Sequence, residues 1–294
     1  MNSYVSKQSL KKFWYNRSRM YNQKTAFMGA FIGDYQGSVF EFHYSGDFSF
    51  SFDNKKCRLT DDSMMTFAVM DLLTDKGETF TDDDVLFFFK KWYAKNPFAG
   101  YGDNFRRFLC GVSTRNDSYG DGAPMRISPV GHFAKNEKEA IDLSLRITRI
   151  SHDHPESYRA AILLSRLIYF ARHGADKRQL KEIASREYRL FASLEAIRED
   201  NHFSSCVDAS CMKNMPQALS FFFLTNSFDE CLRASVSSGG DCDTNAAIAC
   251  SLAEVFYKES LINHKLRVLD YVIAKNDKDM MRLLTDEKVI AKFH

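Results

Sequence analysis

The sequence predicts an all-α protein, and three observations predict it. Ten segments carry apolar residues at three- and four-residue intervals, the spacing of one helix face. No segment of comparable length alternates with period two. The stretches between the ten hold turn formers, as in Tyr101-Gly-Asp-Asn104, Ser118-Tyr-Gly-Asp-Gly122 and Ser237-Ser-Gly-Gly-Asp241.

Taken in order, Ala26–Phe31 pairs Ala26 with Ala30 and Phe27 with Phe31. Met64–Leu73 repeats at Met65, Val69, Leu72 and Leu73, and Asp83–Trp92 at Val85, Phe88, Phe89 and Trp92. Glu137–Ile150 follows with Ala140, Leu143, Ile147 and Ile150, then Arg159–Arg172 with Ala160, Leu163, Leu167 and Ala171. Lys177–Arg189 is shorter in apolar content, with Leu180, Ile183 and Ala184. Met215–Leu224 contains the run Phe221–Phe223, which reads as packing. Phe228–Val236, Asn245–Tyr257 and Leu261–Ile273 complete the series.

A chain of 294 residues, 45% apolar and 27% charged, has the material for a substantial core, and 5 Pro with 14 Gly exclude collagen and long disordered tracts. We expect a basic N-terminal extension over 1–25, with Lys7, Lys11, Lys12, Arg17, Arg19 and Lys24 and no acid in the first 24 positions, and a single domain over 26–294. No Pro/Ser-rich linker and no repeat divides the latter. Forty Lys and Arg against 38 Asp and Glu leave +2, too little for the footprint of a general nucleic-acid binder. The seven cysteines are odd in number and lack a C-x-x-C, so they read as reduced thiols of a cytoplasmic protein. No apolar run approaches the roughly 18–20 residues of a membrane span, and the basic N-terminus lacks the apolar centre of a secretory signal.

Two acidic clusters stand out. Thr60-Asp61-Asp62 immediately precedes an apolar helical series, where Thr and Asp serve as caps; capping does not need both acids. Ser238-Gly-Gly-Asp241-Cys-Asp243-Thr244 repeats the arrangement before Asn245–Tyr257. Facing each other, the two would present four carboxylates and two hydroxyls, a hard all-oxygen set suited to Mg²⁺, Ca²⁺ or Mn²⁺. Four carboxylates cannot share a dry site without cations, so either two metals bind or the clusters lie apart. Ser118–Met125 is a glycine-rich loop able to present amides to a phosphate, and Arg126 after it can pair with a ligand or lock a carboxylate; as a bare loop it is structural. Glu41 follows Gly33 and Gly37 beside aromatic residues, a setting for proton transfer or an ordinary surface acid. Ser151-His152-Asp153-His154-Pro155 closes a helix, where histidine complements the dipole or meets a ligand.

Together, Gly33-Asp34…Gly37…Glu41, Leu59-Thr-Asp-Asp-Ser63, Tyr119-Gly-Asp-Gly-Ala-Pro-Met-Arg126…Pro129…Gly131, Ser151-His152 and Gly239-Gly-Asp-Cys-Asp-Thr244…Ala247 resemble the ADP-ribosylglycohydrolase family, from about Ala26 to the last helices. The resemblance implies a compact orthogonal helical bundle holding two Mg²⁺ (or Mn²⁺) ions and hydrolysing the glycosidic bond between ADP-ribose and an acceptor. It implies Thr60, Asp61, Asp62, Asp241, Asp243 and Thr244 as metal ligands, with Glu41 and Asp62 as catalytic residues. Ser118, Gly120, Asp121, Gly122 and Met125 match the part that holds the diphosphate, and His152 and Tyr158 would lie along the ADP-ribose.

Two departures mark this chain. Asp121 stands where the family usually has Asn, adding negative charge beside the diphosphate or accepting a ribose hydroxyl or an amide, and Pro124 removes a backbone donor. The expected substrate is an ADP-ribosylated protein or a small ADP-ribosyl conjugate, arginine-linked by preference, with serine-linked and O-acyl-ADP-ribose as other acceptors. The alternatives are a catalytically silent ADP-ribose-binding module and a dimetal phosphohydrolase of ADP-ribose-like ligands.

Overall fold

The computed structural model describes residues 25–41, 52, 55–202, 208–259 and 261–293. The expected basic extension therefore lies outside the described residues except for Thr25. The helices in chain order are α1 (Gly29–Gly37), α2 (Asp61–Lys76), α3 (Asp82–Lys95), α4 (Asp103–Leu109), α5 (Ser128–Phe133), α6 (Glu137–Thr148), α7 (Pro155–Arg172), α8 (Lys177–Glu187), α9 (Leu194–His202), α10 (Cys211–Leu224), α11 (Phe228–Ser237), α12 (Cys242–Tyr257), α13 (Ile262–Lys275), α14 (Lys278–Thr285) and α15 (Glu287–Ile290). A 3₁₀ turn, Pro124–Arg126, leads into α5. The described residues form no strand, only isolated bridges pairing Asp117 with His152 and Gly120 with Ser210.

The all-α expectation holds, and each of the ten segments overlaps a helix, although Ala26–Phe31 does so only from Gly29. Local chemistry sets many of the ends. Thr81 and Asp84 form a capping box at α3, and Asp176 and Gln179 form one at α8. His154 does not close the preceding helix, as the sequence suggested: its ring accepts from Glu156 N–H at 3.2 Å and caps α7, with Pro155 in the first turn.

The centre is built from α2 and α12. From Asp62 to Leu73 every residue of α2 is buried, and α12 is buried along nearly its whole length between α1, α7, α10 and α11. Phe221 and Phe222 are core, as expected of packing. One contact fixes the site. Gly29, Gly33 and Gly37 form a stripe on α1 against α12, and a Cβ there would fall 2.2 Å from Cys250 O, 2.2 Å from Ala246 O and 2.4 Å from Asp243 Cα respectively. Only glycine lets the two backbones meet this closely, and the approach carries Asp34 of α1 to Asp243 of α12.

Candidate active site

Asp34 is fully buried on α1 and accepts from Thr60 N–H (2.9 Å), Ser63 N–H (3.1 Å) and Thr60 Oγ1–H (2.6 Å). The first-turn amides of α2 are thus capped from another helix, and no side-chain cap comes from Thr60. This corrects the capping reading of Thr60-Asp61-Asp62 and leaves Asp61 and Asp62 turned toward the cleft. Asp34 was not expected in the site. Its signals in the sequence are an acid amid an apolar, glycine-spaced helix and its place in the Gly33-Asp34…Gly37…Glu41 motif.

The second cluster is shaped by Gly239 and Gly240, both in the left-handed region (φ +74° and +71°). Asn201 of α9 holds this turn, donating through Nδ2 to Ser238 O (3.0 Å) and Gly239 O (3.1 Å), and Gln217 of α10 braces Asn201 at 2.8 Å. Asp241 is the N-cap of α12 without a side-chain cap bond, while Asp243 Oδ1 accepts from Thr244 N–H at 3.0 Å.

The two clusters face each other. Thr244 Oγ1 donates to Asp62 Oδ2 at 3.3 Å across 182 positions of sequence, and Thr60 Oγ1 lies 3.2 Å from the same oxygen. Carboxylate oxygens of Asp34, Asp62 and Asp243 lie within 4.8 Å of one another, as do those of Glu41, Asp241 and Asp243. Burial, followed by the neighbouring acids, pushes Asp61 up to about 8 and Asp62 and Asp243 well above their ordinary values. Burial raises Asp34 to about 6 against the pull of its Thr60 and Ser63 hydrogen bonds. Asp62 Oδ1 is buried with no hydrogen-bond partner among the described residues. An orphaned carboxylate oxygen amid repelling acids fits hard divalent cations.

Asp61, Asp62, Asp241, Asp243 and Thr244 line a cleft of about 390 Å³ with Glu41, Gly100, Asp103, Asn104, Phe105, Ser118, Gly120, Asp121, Gly122, Met125, Arg126 and His152, while Asp34 and Thr60 lie behind its wall. Through Asn104, Phe105, Ser118, Gly120 and Ala209 it continues into a wider depression of about 750 Å³, lined also by Phe108, Arg115, Tyr119 and Met212. Neither Asn104 nor Phe105 was singled out by the sequence, which offered only a turn there.

The glycine loop is fastened on both sides. Asp121 N–H donates to Ala209 O (2.9 Å), Cys211 N–H to Tyr119 O (3.0 Å) and Asp153 N–H to Asn116 O (2.6 Å). The expectation that loop amides cradle a phosphate is therefore narrowed: Gly120 donates to Ser118 Oγ, Ala123 to Gly120 O and Met125 to Asp121 O. Gly122 N–H has no partner among the described residues. Asp121 accepts from Asn214 Nδ2 and meets Asp241, joining the acid cluster, and burial followed by Asp241 raises it well above its ordinary value. Arg126 locks no carboxylate and holds Ser151 and His152 instead. Tyr158 does not line the cleft; its hydroxyl donates to Asp153 Oδ1 on the outer side.

The family model described as ADP-ribosylglycohydrolase matches residues 18–287. This chain belongs to the ADP-ribosylglycohydrolase family. Within it, the chain is 30% identical over 260 residues to the ADP-ribosyl-[dinitrogen reductase] glycohydrolase of Rhodospirillum rubrum, covering 79% of this chain and 84% of that protein. It is 22% identical over 321 residues to the ADP-ribosylhydrolase ARH3 of Xenopus tropicalis, covering 85% and 91% respectively. A solved structure titled ADP-ribosylglycohydrolase-related protein complex superposes with a TM-score of 0.66 at 22% identity, covering 91% of this chain and 95% of the other. The all-α fold described above is that of the ADP-ribosylglycohydrolases.

Proposed function

We propose that the protein is a divalent-metal-dependent hydrolase that cleaves the glycosidic bond between ADP-ribose and an acceptor side chain. The observation that carries this reading is the convergence of the two acidic helix starts, Asp62 and Thr244 at 3.3 Å, with Glu41 at their rim and a polar cleft in front. Thr60, Asp61, Asp62, Asp241, Asp243 and Thr244 would hold two Mg²⁺ or Mn²⁺ ions, with Asp34 behind them. Bound there, the ions supply positive charge that orients ribose hydroxyls and water.

The chain's own residues account for the rest. Glu41, half-buried at the rim, handles the proton of the attacking water or of the leaving group and stabilises positive charge developing at the anomeric carbon. Asp62, which accepts from the Thr244 hydroxyl, orients the ribose end. Gly120 and Gly122 keep the loop open to the diphosphate, and the wider depression takes the remainder of the nucleotide. Carboxylate at the rim, with Glu41 beside Asp241 and Asp243, favours a cationic leaving group, which supports arginine-linked substrates over serine-linked ones. The six described free cysteines, five of them buried, suit the reducing cytoplasm.

Arginine- and serine-linked ADP-ribosyl peptides incubated with the protein in Mg²⁺ or in EDTA, with products read by mass spectrometry, test the reading. Intact ADP-ribose released from the arginine peptide in Mg²⁺ alone is expected. AMP as product would replace it with phosphohydrolysis, and ADP-ribose binding without release would replace it with a binding module.

A further inference from the structure

Behind the glycine loop two side chains fix the state of a third. Arg126 is fully buried, its guanidinium 4.6 Å from the Phe89 ring centre and 5.3 Å from that of Phe105. No carboxylate among the described residues is within ion-pair distance of it. One terminal nitrogen donates to Ser151 Oγ at 2.7 Å and stands 3.0 Å from His152 Nδ1, and Ser151 Oγ lies 2.8 Å from that same ring nitrogen.

A guanidinium has donors and no acceptor. With Nδ1 unprotonated, its one lone pair takes the serine hydroxyl while the arginine N–H donates to Ser151 Oγ. With a hydrogen on Nδ1, two N–H groups would oppose each other at 3.0 Å beside a full positive charge. A hydrogen on Nδ1 would have only Ser151 Oγ to go to, an oxygen the arginine already uses, so the geometry favours the ring hydrogen on Nε2. Burial and then Arg126 push His152 well below its ordinary value, which keeps the ring uncharged. The neighbouring acid, Asp153, is exposed and engaged by the Tyr158 hydroxyl.

Nε2 faces the loop: a Cβ on Gly122 would lie 3.0 Å from it and one on Gly120 3.9 Å. The amides of Gly120, Asp121, Ala123 and Met125 are already bonded within the protein, so this wall of the cleft offers few other donors.

We propose that Arg126 is a positioning residue for substrate: with Ser151 it locks His152 as the neutral Nε2–H tautomer, giving an anionic ligand oxygen one fixed donor at the glycine loop. The inference rests on the ADP-ribosyl reading only for the identity of that oxygen, which would belong to the diphosphate. The lock also explains why a buried arginine is kept at a site full of acids without pairing with any of them.

Ring-¹⁵N-labelled histidine in the full-length, ligand-free protein at neutral pH reads the tautomer through long-range ¹H–¹⁵N correlations, with His152→Gln giving the assignment. The expected pattern is hydrogen on Nε2 and a bare Nδ1. Arg126→Met should bring in the Nδ1–H form and raise KM for the ADP-ribosyl peptide about tenfold with kcat changed less than about twofold, because the donor serves ground and transition states alike. Arg126→Lys, which keeps charge but not the planar fork, should fall between. Hydrogen on Nδ1 or an imidazolium in the unaltered protein overturns the proposal, as does an Arg126→Met protein with ring pattern and KM unchanged. The first of these needs no variant to fold. An Nε2–H pattern in a protein whose His152 resonances ignore ADP-ribose supports the lock and instead sinks the ADP-ribosyl reading of the cleft.

Discussion

Asp34 joins the backbone to the chemistry. Its Oδ2 takes the two amides that start α2 and its Oδ1 takes the Thr60 hydroxyl, so one carboxylate both fixes the helix start and adds charge behind Asp62 and Asp243. These roles are separable. In Asp34→Asn the amide oxygen can keep the two backbone donors while its NH₂ turns to Thr60 Oγ1, which then accepts. The cap survives and only the charge is lost. We therefore expect Mn²⁺ affinity to fall at least about tenfold, from one fewer negative charge near the cations, while the melting temperature in EDTA is not lowered. Calorimetric titration with Mn²⁺ checks this, and unchanged affinity would remove Asp34 from the metal set. Asp61, Asp62, Asp241, Asp243 and both threonines were legible because each triplet stands at a helix start with more acid than capping needs. Asp34 was not, since its function depends on a helix start 26 residues away. The pairing of Asp121 with Asn214 was hidden for the same reason, with 93 positions between them.

At the scale of elements, the helices that carry the site are placed by what their glycines lack. Gly33 meets backbone on α12, with the carbonyl of Ala246 at 2.2 Å and the amide of Ala247 at 2.6 Å from a notional Cβ. Neither can yield as a flexible side chain would, so Gly33→Ala forces α1 and α12 apart and separates Asp34 from Asp243. A loss of about 3 kcal/mol or more is expected, at the upper end of overpacking, together with weakened metal binding; a denaturant titration measures the first. Gly122→Ala is a different case, because its Cβ would meet the ring of His152 rather than backbone. There KM should rise with little change in melting temperature, and equal loss of both would mean the loop is a structural element only. The long helices were readable because three or more turns repeat a spacing. Among those of four to nine residues only α1 was read, and in part, while α4, α5, α9, α14 and α15 complete too few turns to show a spacing. Two of them still matter to the site: α4 brings Asn104 and Phe105 to the cleft, and α9 brings Asn201 to the glycine turn before Asp241.

Across the whole molecule, a chain of net charge +2 concentrates Asp34, Glu41, Asp61, Asp62, Asp121, Asp241 and Asp243 in one buried region, and this sets how stability depends on pH. Asp34 is pushed up to about 6 and Asp61 to about 8, with Asp62, Asp121 and Asp243 also raised. An acid raised on folding binds more protons in the native state than in the unfolded one, so stability falls as pH rises. The contribution is complete below the ordinary carboxylate range near 4 and is lost as pH passes through about 6 and then about 8. Asp84 and Asp117 are lowered and have the opposite sign, but they are on the surface and titrate below that window. His152 and His264, both lowered by burial, have the opposite sign and oppose this below about pH 6.5, so in EDTA the melting temperature should decline between about pH 6.5 and 8. Saturating Mg²⁺ should reverse the slope, because cations bind the ionised carboxylates and protons compete with them. Melting curves over this range with and without Mg²⁺ make the comparison, and an EDTA profile that is flat or rising would mean that these acids ionise together at no cost and need no cation to hold them.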